Sequence, residues 1–145
     1  MYTKINEKDC IMKLGAVYSK EKTTFTLFSP VADSVFVIFY DKGNDSAETG
    51  RLEMMRGEGE LRSIFSATAE GNLDGVYYTY EVHTADGTFS SHDPYARACG
   101  VNGHRSMVID LSKTDPDGFA DEDRPKLADP MSMVITEVSI ADVSA

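Results

Sequence analysis

Apolar and polar residues alternate with a period of two through most of the first 111 residues, and turn residues separate the runs. Residues 23–28 place Phe25 and Leu27 on one face and end at Ser29-Pro30, where proline cannot continue a hydrogen-bonded ladder. Residues 34–40 are apolar on both faces, which predicts a central strand covered on both sides. About seven strands at this spacing predict an all-β fold, an immunoglobulin-like antiparallel β-sandwich, over residues 8–112.

A second pair of runs and a tyrosine-rich strand complete the predicted sandwich. Residues 50–56 and 61–69 flank a glycine-containing turn and predict a hairpin. Residues 76–83 place Tyr78 and Tyr80 on one face and Tyr77 on the other. The turn that follows this strand predicts a return strand beginning near residue 89, and residues 106–111 predict one more strand.

The character of the chain changes after residue 112. Residues 113–130 contain three prolines and six acidic residues, which is typical of an acidic linker. Residues 133–140 are apolar on both faces, as in a strand inside a parallel sheet. We expect residues 131–145 to start a truncated further domain, so that 133–140 is an orphan strand. Its open edges leave three alternatives open: a homodimer through 133–140, addition to the sandwich, and a disordered segment.

Charge excludes two classes of partner. The chain has 14 lysines and arginines against 24 acidic residues, a net charge of −10, which argues against nucleic acid and membrane surfaces. No apolar stretch typical of a signal peptide occurs, so we expect a cytoplasmic protein, or an extracellular one if a signal was removed. Cys10 and Cys99 are predicted to be free thiols packed as small apolar groups.

Four stretches together resemble type I pullulanases of glycoside hydrolase family 13, whose N-terminal region carries a family 48 carbohydrate-binding module. These stretches are residues 15–35, the Gly-Val-Tyr-Tyr-Thr-Tyr run at 75–80, residues 93–98 continuing into 101–111, and the tail 135–144. The third is the one most typical of pullulanases. The tail resembles the first strand of the catalytic barrel but has smaller side chains at four positions, namely Thr136, Ser139, Ala141 and Val143.

The resemblance implies a non-catalytic module whose parent hydrolyses α-1,6-glucosidic bonds in pullulan, starch or glycogen. Its expected partners are its own missing catalytic barrel and α-glucan. We expect no catalytic residue here, because retaining glycosidases need two carboxyl groups about 5 Å apart, and the family places them beyond the first barrel strand. We expect no cofactor. The alternatives are a purely structural or adhesion-type sandwich, and the module of another starch debranching or branching enzyme.

Three residues are candidates for carbohydrate binding. By resemblance, Phe89 lies near a position that stacks on sugar rings, and Asn102 lies near one that bonds hydroxyl groups. Tyr77 is a candidate because its strand can expose one aromatic face. The alternatives are a hairpin phenylalanine, a turn asparagine and a packing tyrosine. Asp93, before a proline, is predicted to be a structural corner. The histidines and the linker acids lack metal-ligand spacing, so no metal site is predicted.

Overall fold

A computed structural model describes residues 13–123 and 126–144, and the chain divides into two compact units between Lys113 and Thr114. The part of the first unit that is described contains nine strands. They are β1 (Gly15–Tyr18), β2 (Lys22–Phe28), β3 (Ser34–Tyr40), β4 (Glu48–Arg56), β5 (Ile64–Glu70), β6 (Tyr77–Thr84), β7 (Gly87–Ser91), β8 (Ala98–Cys99) and β9 (Ser106–Met107). Short 3₁₀ turns at Gly59–Leu61, Val101–Gly103 and Leu111–Lys113 connect or follow these strands.

The strands form one curled antiparallel sheet that folds into two layers. The first layer, sheet A, contains β1, β2 and β5, and the second, sheet B, contains β4, β3 and β6. Both β7 and β9 pair with β6, and β8 pairs with β9. The predicted all-β antiparallel sandwich is confirmed, and β3 lies between β4 and β6 as the central strand that its apolar pattern predicts.

The predicted hairpin between residues 50–56 and 61–69 forms only at its turn end. Met55 and Arg56 of β4 pair with β5, whereas the rest of β4 pairs with β3 and the whole of β5 pairs with β2. The 3₁₀ turn Gly59–Leu61 also delays the start of β5 to Ile64. Strand β4 therefore belongs to both layers, because it pairs with β3 over most of its length and with β5 at its end.

The core lies between the two layers and is built from the predicted inward positions. Phe25 and Tyr78 are fully buried, and their ring centroids lie 5.0 Å apart in an edge-to-face arrangement. Leu27 and Tyr80 are also buried, which confirms the faces read from the alternation. Burying one such side chain contributes about 1.5–3 kcal/mol. The remaining core members are Ala32, Val35, Val37, Met54, Phe65 and Val108.

The second unit differs from its expectation. Residues 133–139 form no strand, and Ile140–Val143 forms one turn of helix. A 3₁₀ turn at Pro130–Ser132 precedes this segment, and the Asp129 side chain accepts a hydrogen bond from the Met131 amide. A strand requires a neighbouring strand to complete its hydrogen bonds, and no neighbour pairs with 133–139 in the described part of the chain. None of the helices in that part is long and apolar enough to cross a membrane.

Candidate functional site

The three candidate residues do not share one face of the sandwich. Residues paired across a ladder point to the same side of a sheet. Tyr77 pairs with Tyr40 on β3, and this row lies on the outward face of sheet B. Phe89 pairs with Val82 on β6. Val82 is two residues from the buried Tyr80 and therefore points to the same side of the sheet. Phe89 thus points to the side of sheet B opposite to Tyr77. Phe89 is 53% exposed because β7 lies at the margin of the sheet.

Asn102 lies in the 3₁₀ turn between β8 and β9 and is exposed. Its backbone is left-handed, with φ 53°, a conformation that asparagine and aspartate tolerate better than most residues. Asp45, in the loop between β3 and β4, is also left-handed, with φ 46°. Both residues border one opening of about 270 Å³, which we call the loop cleft; its lining is Asn44, Asp45, Val101, Asn102, His104 and Arg105.

Arg105 connects the two sides of the loop cleft. Its guanidinium carbon lies 3.5 Å from the centroid of the Tyr40 ring. Nη1 donates hydrogen bonds to the carbonyl oxygen of Lys42, at 2.7 Å, and to the hydroxyl of Ser46, at 2.8 Å. Nη2 donates to the carbonyl oxygen of Ser46 at 2.9 Å. One side chain thus holds both ends of the loop against the sheet.

Two glycines allow the β3–β4 loop and the β8–β9 turn to touch. A Cβ atom added to Gly100 would lie 2.5 Å from the Cα atom of Gly43, closer than real contacts allow. A Cβ atom on Gly43 would lie 3.0 Å from the Tyr77 ring. Tyr77 is consequently half-buried beneath this loop, on the same side of sheet B as the loop cleft. The fold therefore brings Tyr77 and Asn102 to one region and leaves Phe89 outside it.

A second opening, of about 410 Å³, shares Asn102 with the loop cleft. It is lined by His92, Asp93, Ala96, Arg97, Ala98, Cys99, Asn102, Gly103 and Ser106. Cys99 is a free thiol, as predicted, but it is exposed and not packed among apolar groups. The reason is that the two-residue strand β8 lies at the end of the sheet, where little covers it. Cys10 lies outside the described residues.

Asp93 forms the predicted corner and also accepts bonds from two core tyrosines. Its Oδ2 atom accepts from the Tyr78 hydroxyl at 2.6 Å and from the Tyr80 hydroxyl at 3.2 Å, and its Oδ1 atom accepts from the Tyr95 amide at 2.8 Å. Burial first, and the nearby Asp93 carboxylate second, raise the pKa of Tyr78 and of Tyr80 well above the ordinary value. The sequence carried a signal for this contact, because buried tyrosine hydroxyls need a partner.

Each of the two openings is lined by one acidic and one basic side chain, Asp45 and Arg105 in the loop cleft and Asp93 and Arg97 in the second. Amide, imidazole, carboxylate and guanidinium groups line the loop cleft, and together they supply donors and acceptors for hydroxyl groups. Within the described ranges, no group of three His, Cys, Asp or Glu side chains is placed to hold a metal ion. Of the histidines, His83 lies on the outward face of sheet B and bonds Glu81 at 2.9 Å. The arrangement is suited to binding a neutral, hydroxyl-rich ligand.

Comparison with known proteins finds one carbohydrate-binding module family and several pullulanases that are similar to the chain. Residues 13–96 match the family model described as carbohydrate-binding module 48, the isoamylase N-terminal domain. The chain is 31% identical over 116 residues to pullulanase A of Streptococcus pneumoniae serotype 4, a match that covers 75% of this chain and 9% of that protein. It is 29% identical over 133 residues to the pullulanase of Bacillus subtilis strain 168, covering 91% and 17%.

Solved structures give the same result. The apo pullulanase from Paenibacillus barengoltzii superimposes with a TM-score of 0.77 at 35% identity, over 88% of this chain and 19% of that chain. The pullulanase from Bacillus acidopullulyticus gives a TM-score of 0.73 at 36% identity, over 81% and 14%. The chain therefore spans less than a fifth of the length of each of these four relatives.

Proposed function

Because the chain belongs to the carbohydrate-binding module 48 family, we propose that it serves a pullulanase-like parent enzyme by docking on the catalytic domain and contacting α-glucan. In this proposal the parent hydrolyses α-1,6-glucosidic bonds in pullulan, starch or glycogen. The similarity to pullulanases over most of the chain supports this role. The module itself is non-catalytic, so the bond-breaking chemistry is assigned to the rest of the parent.

The glucan contact is proposed at the loop cleft. The observation that carries it is the meeting of Asp45 and Asn102, two left-handed residues from distant loops, at one polar opening. Strained backbone of this kind is retained where the surroundings enforce it, and it is found more often at binding sites. An α-glucan is neutral and rich in hydroxyl groups, which amide side chains such as Asn44 and Asn102 both donate to and accept from. Phe89 would contact sugar only as a separate platform on the other face.

A second candidate function is purely structural docking without sugar contact. The chain has no tryptophan, and Arg105 already covers the Tyr40 ring that would otherwise be available for stacking. The β3–β4 loop also covers part of Tyr77. Sugar rings stack on open aromatic faces, so the face bearing the loop cleft offers hydrogen bonds more readily than stacking. These observations favour a module that acts mainly as a support for the catalytic domain.

Docking on the catalytic domain is supported by the outward face of sheet A. In this strongly acidic chain, the face carries the charged pair Lys22 and Glu70 at one end and uncharged side chains beyond it, including Val17 and Phe28, which are 39% and 52% exposed. Thr24 and Thr68 extend the same face and bond one another at 3.1 Å. A second copy of the chain, joined through residues 133–140, is the alternative partner. Sedimentation of the purified chain tests it, since a monomer at all concentrations would exclude the dimer.

Native gel electrophoresis through glycogen or pullulan tests the glucan contact. We expect the polysaccharide to retard the unmutated chain and Asn102→Ala to weaken that retardation by roughly three- to tenfold, the value of one lost hydrogen bond. Ser90→Ala, an exposed neutral position on β7, is the matched control and should not change it. Loss of retardation in Phe89→Ala but not in Asn102→Ala would move the contact to the other face. Absence of retardation of the unmutated chain would contradict the glucan contact and support the purely structural role.

Incubation of the purified chain with pullulan tests whether the module alone hydrolyses glycosidic bonds. We expect no reducing sugar to be released over hours at micromolar protein, because the module contributes no catalytic pair. A matched sample of an intact pullulanase is the positive control. Release of reducing sugar by the chain alone, at a rate proportional to its concentration, would contradict the proposal.

A further inference from the structure

The β3–β4 loop lies outside the ladder that flanks it. The last pair between the two strands is Tyr40 with Glu48, and the register already shifts between Phe39 and Tyr40. Residues 41–47 therefore depend on contacts from elsewhere for a fixed shape. The described contacts that reach their backbone from outside the loop are the two carbonyl bonds from Arg105 and the packing of Gly43 on Gly100 and on the Tyr77 ring.

From this geometry we infer that Arg105 is a positioning residue for the loop cleft: it holds residues 42–46 in the shape that presents Asn44 and Asp45 beside Asn102. The inference rests on the proposed glucan contact and adds the residue that prepares the site. Arg105 also lines the loop cleft, but the loop engages its terminal nitrogens, so the role assigned to it is to hold the loop. Its guanidinium already bonds Lys42 and Ser46 and lies against the Tyr40 ring.

The contacts require the shape of an arginine. A guanidinium is planar, so it lies flat on an aromatic ring while its edge donates several hydrogen bonds in fixed directions. Three acceptor atoms lie 2.7–2.9 Å from the two terminal nitrogens of Arg105. A lysine ammonium is a compact point charge that cannot cover the ring and reach acceptors on Lys42 and Ser46 together. Lysine at this position should therefore restore part of the function and not all of it.

A prearranged loop matters because binding is weakened by the free energy needed to order flexible groups. Ordering one rotamer-rich side chain at an interface costs about 0.5–1.5 kcal/mol. Release of the loop would require Asn44 and Asp45 to be ordered again each time ligand binds. We therefore expect Arg105→Ala to weaken maltoheptaose binding about tenfold.

Nuclear magnetic resonance of the full 145-residue chain tests both parts of the inference. Backbone order parameters of residues 41–47 report the loop without any ligand. They should be above about 0.8 in the unmutated chain and fall below about 0.6 in Arg105→Ala, with those of β3 and β6 unchanged. Titration with maltoheptaose then measures affinity, and Arg105→Lys should lie between the two. If Arg105→Ala does not fold, Arg105→Lys carries the same two measurements.

Arg56→Ala is the matched control. Arg56 also covers an aromatic ring, Phe65, at 4.8 Å, and donates to the backbone carbonyl oxygens of Ala32 and Asp33. Its removal should loosen residues 29–33 and leave residues 41–47 and the maltoheptaose affinity unchanged. A general loss of stability would instead lower order parameters throughout the sandwich in both variants.

Each outcome decides one question. A loosened loop with weaker binding in Arg105→Ala alone supports the inference. Unchanged order parameters at 41–47 in Arg105→Ala overturn it, whether or not glucan binds. A loosened loop with unchanged affinity overturns the positioning role. Absence of maltoheptaose binding by the unmutated chain overturns the glucan contact proposed above, while the order parameters still decide whether Arg105 shapes the loop.

Discussion

Replacing Tyr78 with phenylalanine tests whether the buried Asp93 carboxylate depends on its tyrosine donors. The change keeps the ring that packs on Phe25 and removes the hydroxyl that donates to Asp93 at 2.6 Å. A hydrogen bond to a charged group contributes about 1.5–3 kcal/mol, so Tyr78→Phe should lower the free energy of unfolding by about that amount. Tyr80→Phe removes a longer bond, of 3.2 Å, and should cost about 1 kcal/mol.

The double variant carries the sharper expectation. Asp93 is only 3% exposed, and without either hydroxyl its carboxylate keeps the Tyr95 amide as its described donor. Leaving a buried charge under-bonded is costly, so the double variant should lose more than the sum of the single losses, by about 0.5–3 kcal/mol. The two hydroxyls each compensate for loss of the other in the single variants.

Urea unfolding followed by far-ultraviolet circular dichroism measures these differences, since the chain has no tryptophan to serve as a fluorescent probe. Tyr77→Phe is the control, because its hydroxyl has no hydrogen-bond partner among those the structure shows for residues 13–123, and it should stay within about 0.5 kcal/mol of the parent. A similarly small effect of Tyr78→Phe, or strict additivity in the double variant, would refute the reasoning.

Two further predictions concern backbone contact and pH. Gly100→Ala should destabilise the sandwich by about 1–3 kcal/mol, because its Cβ would overlap the Gly43 backbone. Gly50→Ala, whose Cβ would lie 4.0 Å from the Phe39 ring in ordinary van der Waals contact, should stay within about 0.5 kcal/mol in the same urea assay. The hydrogen bond from Lys113 holds the pKa of Asp74 below its usual value. The stability that this gives is present above about pH 4 and is lost as the pH falls through the lower folded-state pKa. Urea midpoints measured from pH 7 to 2.5 should therefore decline less steeply in Asp74→Asn, and an identical decline would contradict this.

The sequence of the β6–β7 hairpin is sufficient to predict which residues of the two strands pair. The turn before β7 pairs Thr84 with Gly87, so counting back places Phe89 opposite Val82. Tyr77 and Val82 lie an odd number of residues apart on β6, so their side chains point to opposite faces of the sheet. The sequence alone therefore predicts that Phe89 and Tyr77 lie on opposite faces. The turn residues and the period of two are local properties, and they suffice for this conclusion.

Local pattern also determined the strands and their inward faces. Phe25, Leu27, Tyr78 and Tyr80 are buried as the alternation predicts, because successive side chains of any strand point to opposite sides. The same runs carried the family resemblance, which the match over residues 13–96 confirms. These features need no knowledge of which strands become neighbours.

Only the tertiary structure decided which distant segments meet. Arg105 reaches the Lys42 carbonyl across 63 positions of sequence, and the contact of Gly43 with Gly100 depends on two loops from different strand pairs. The division of β4 between the two layers is of the same kind. Alternation along one strand specifies a face but not a partner, because the partner is chosen by the apolar surface buried when the whole chain has folded.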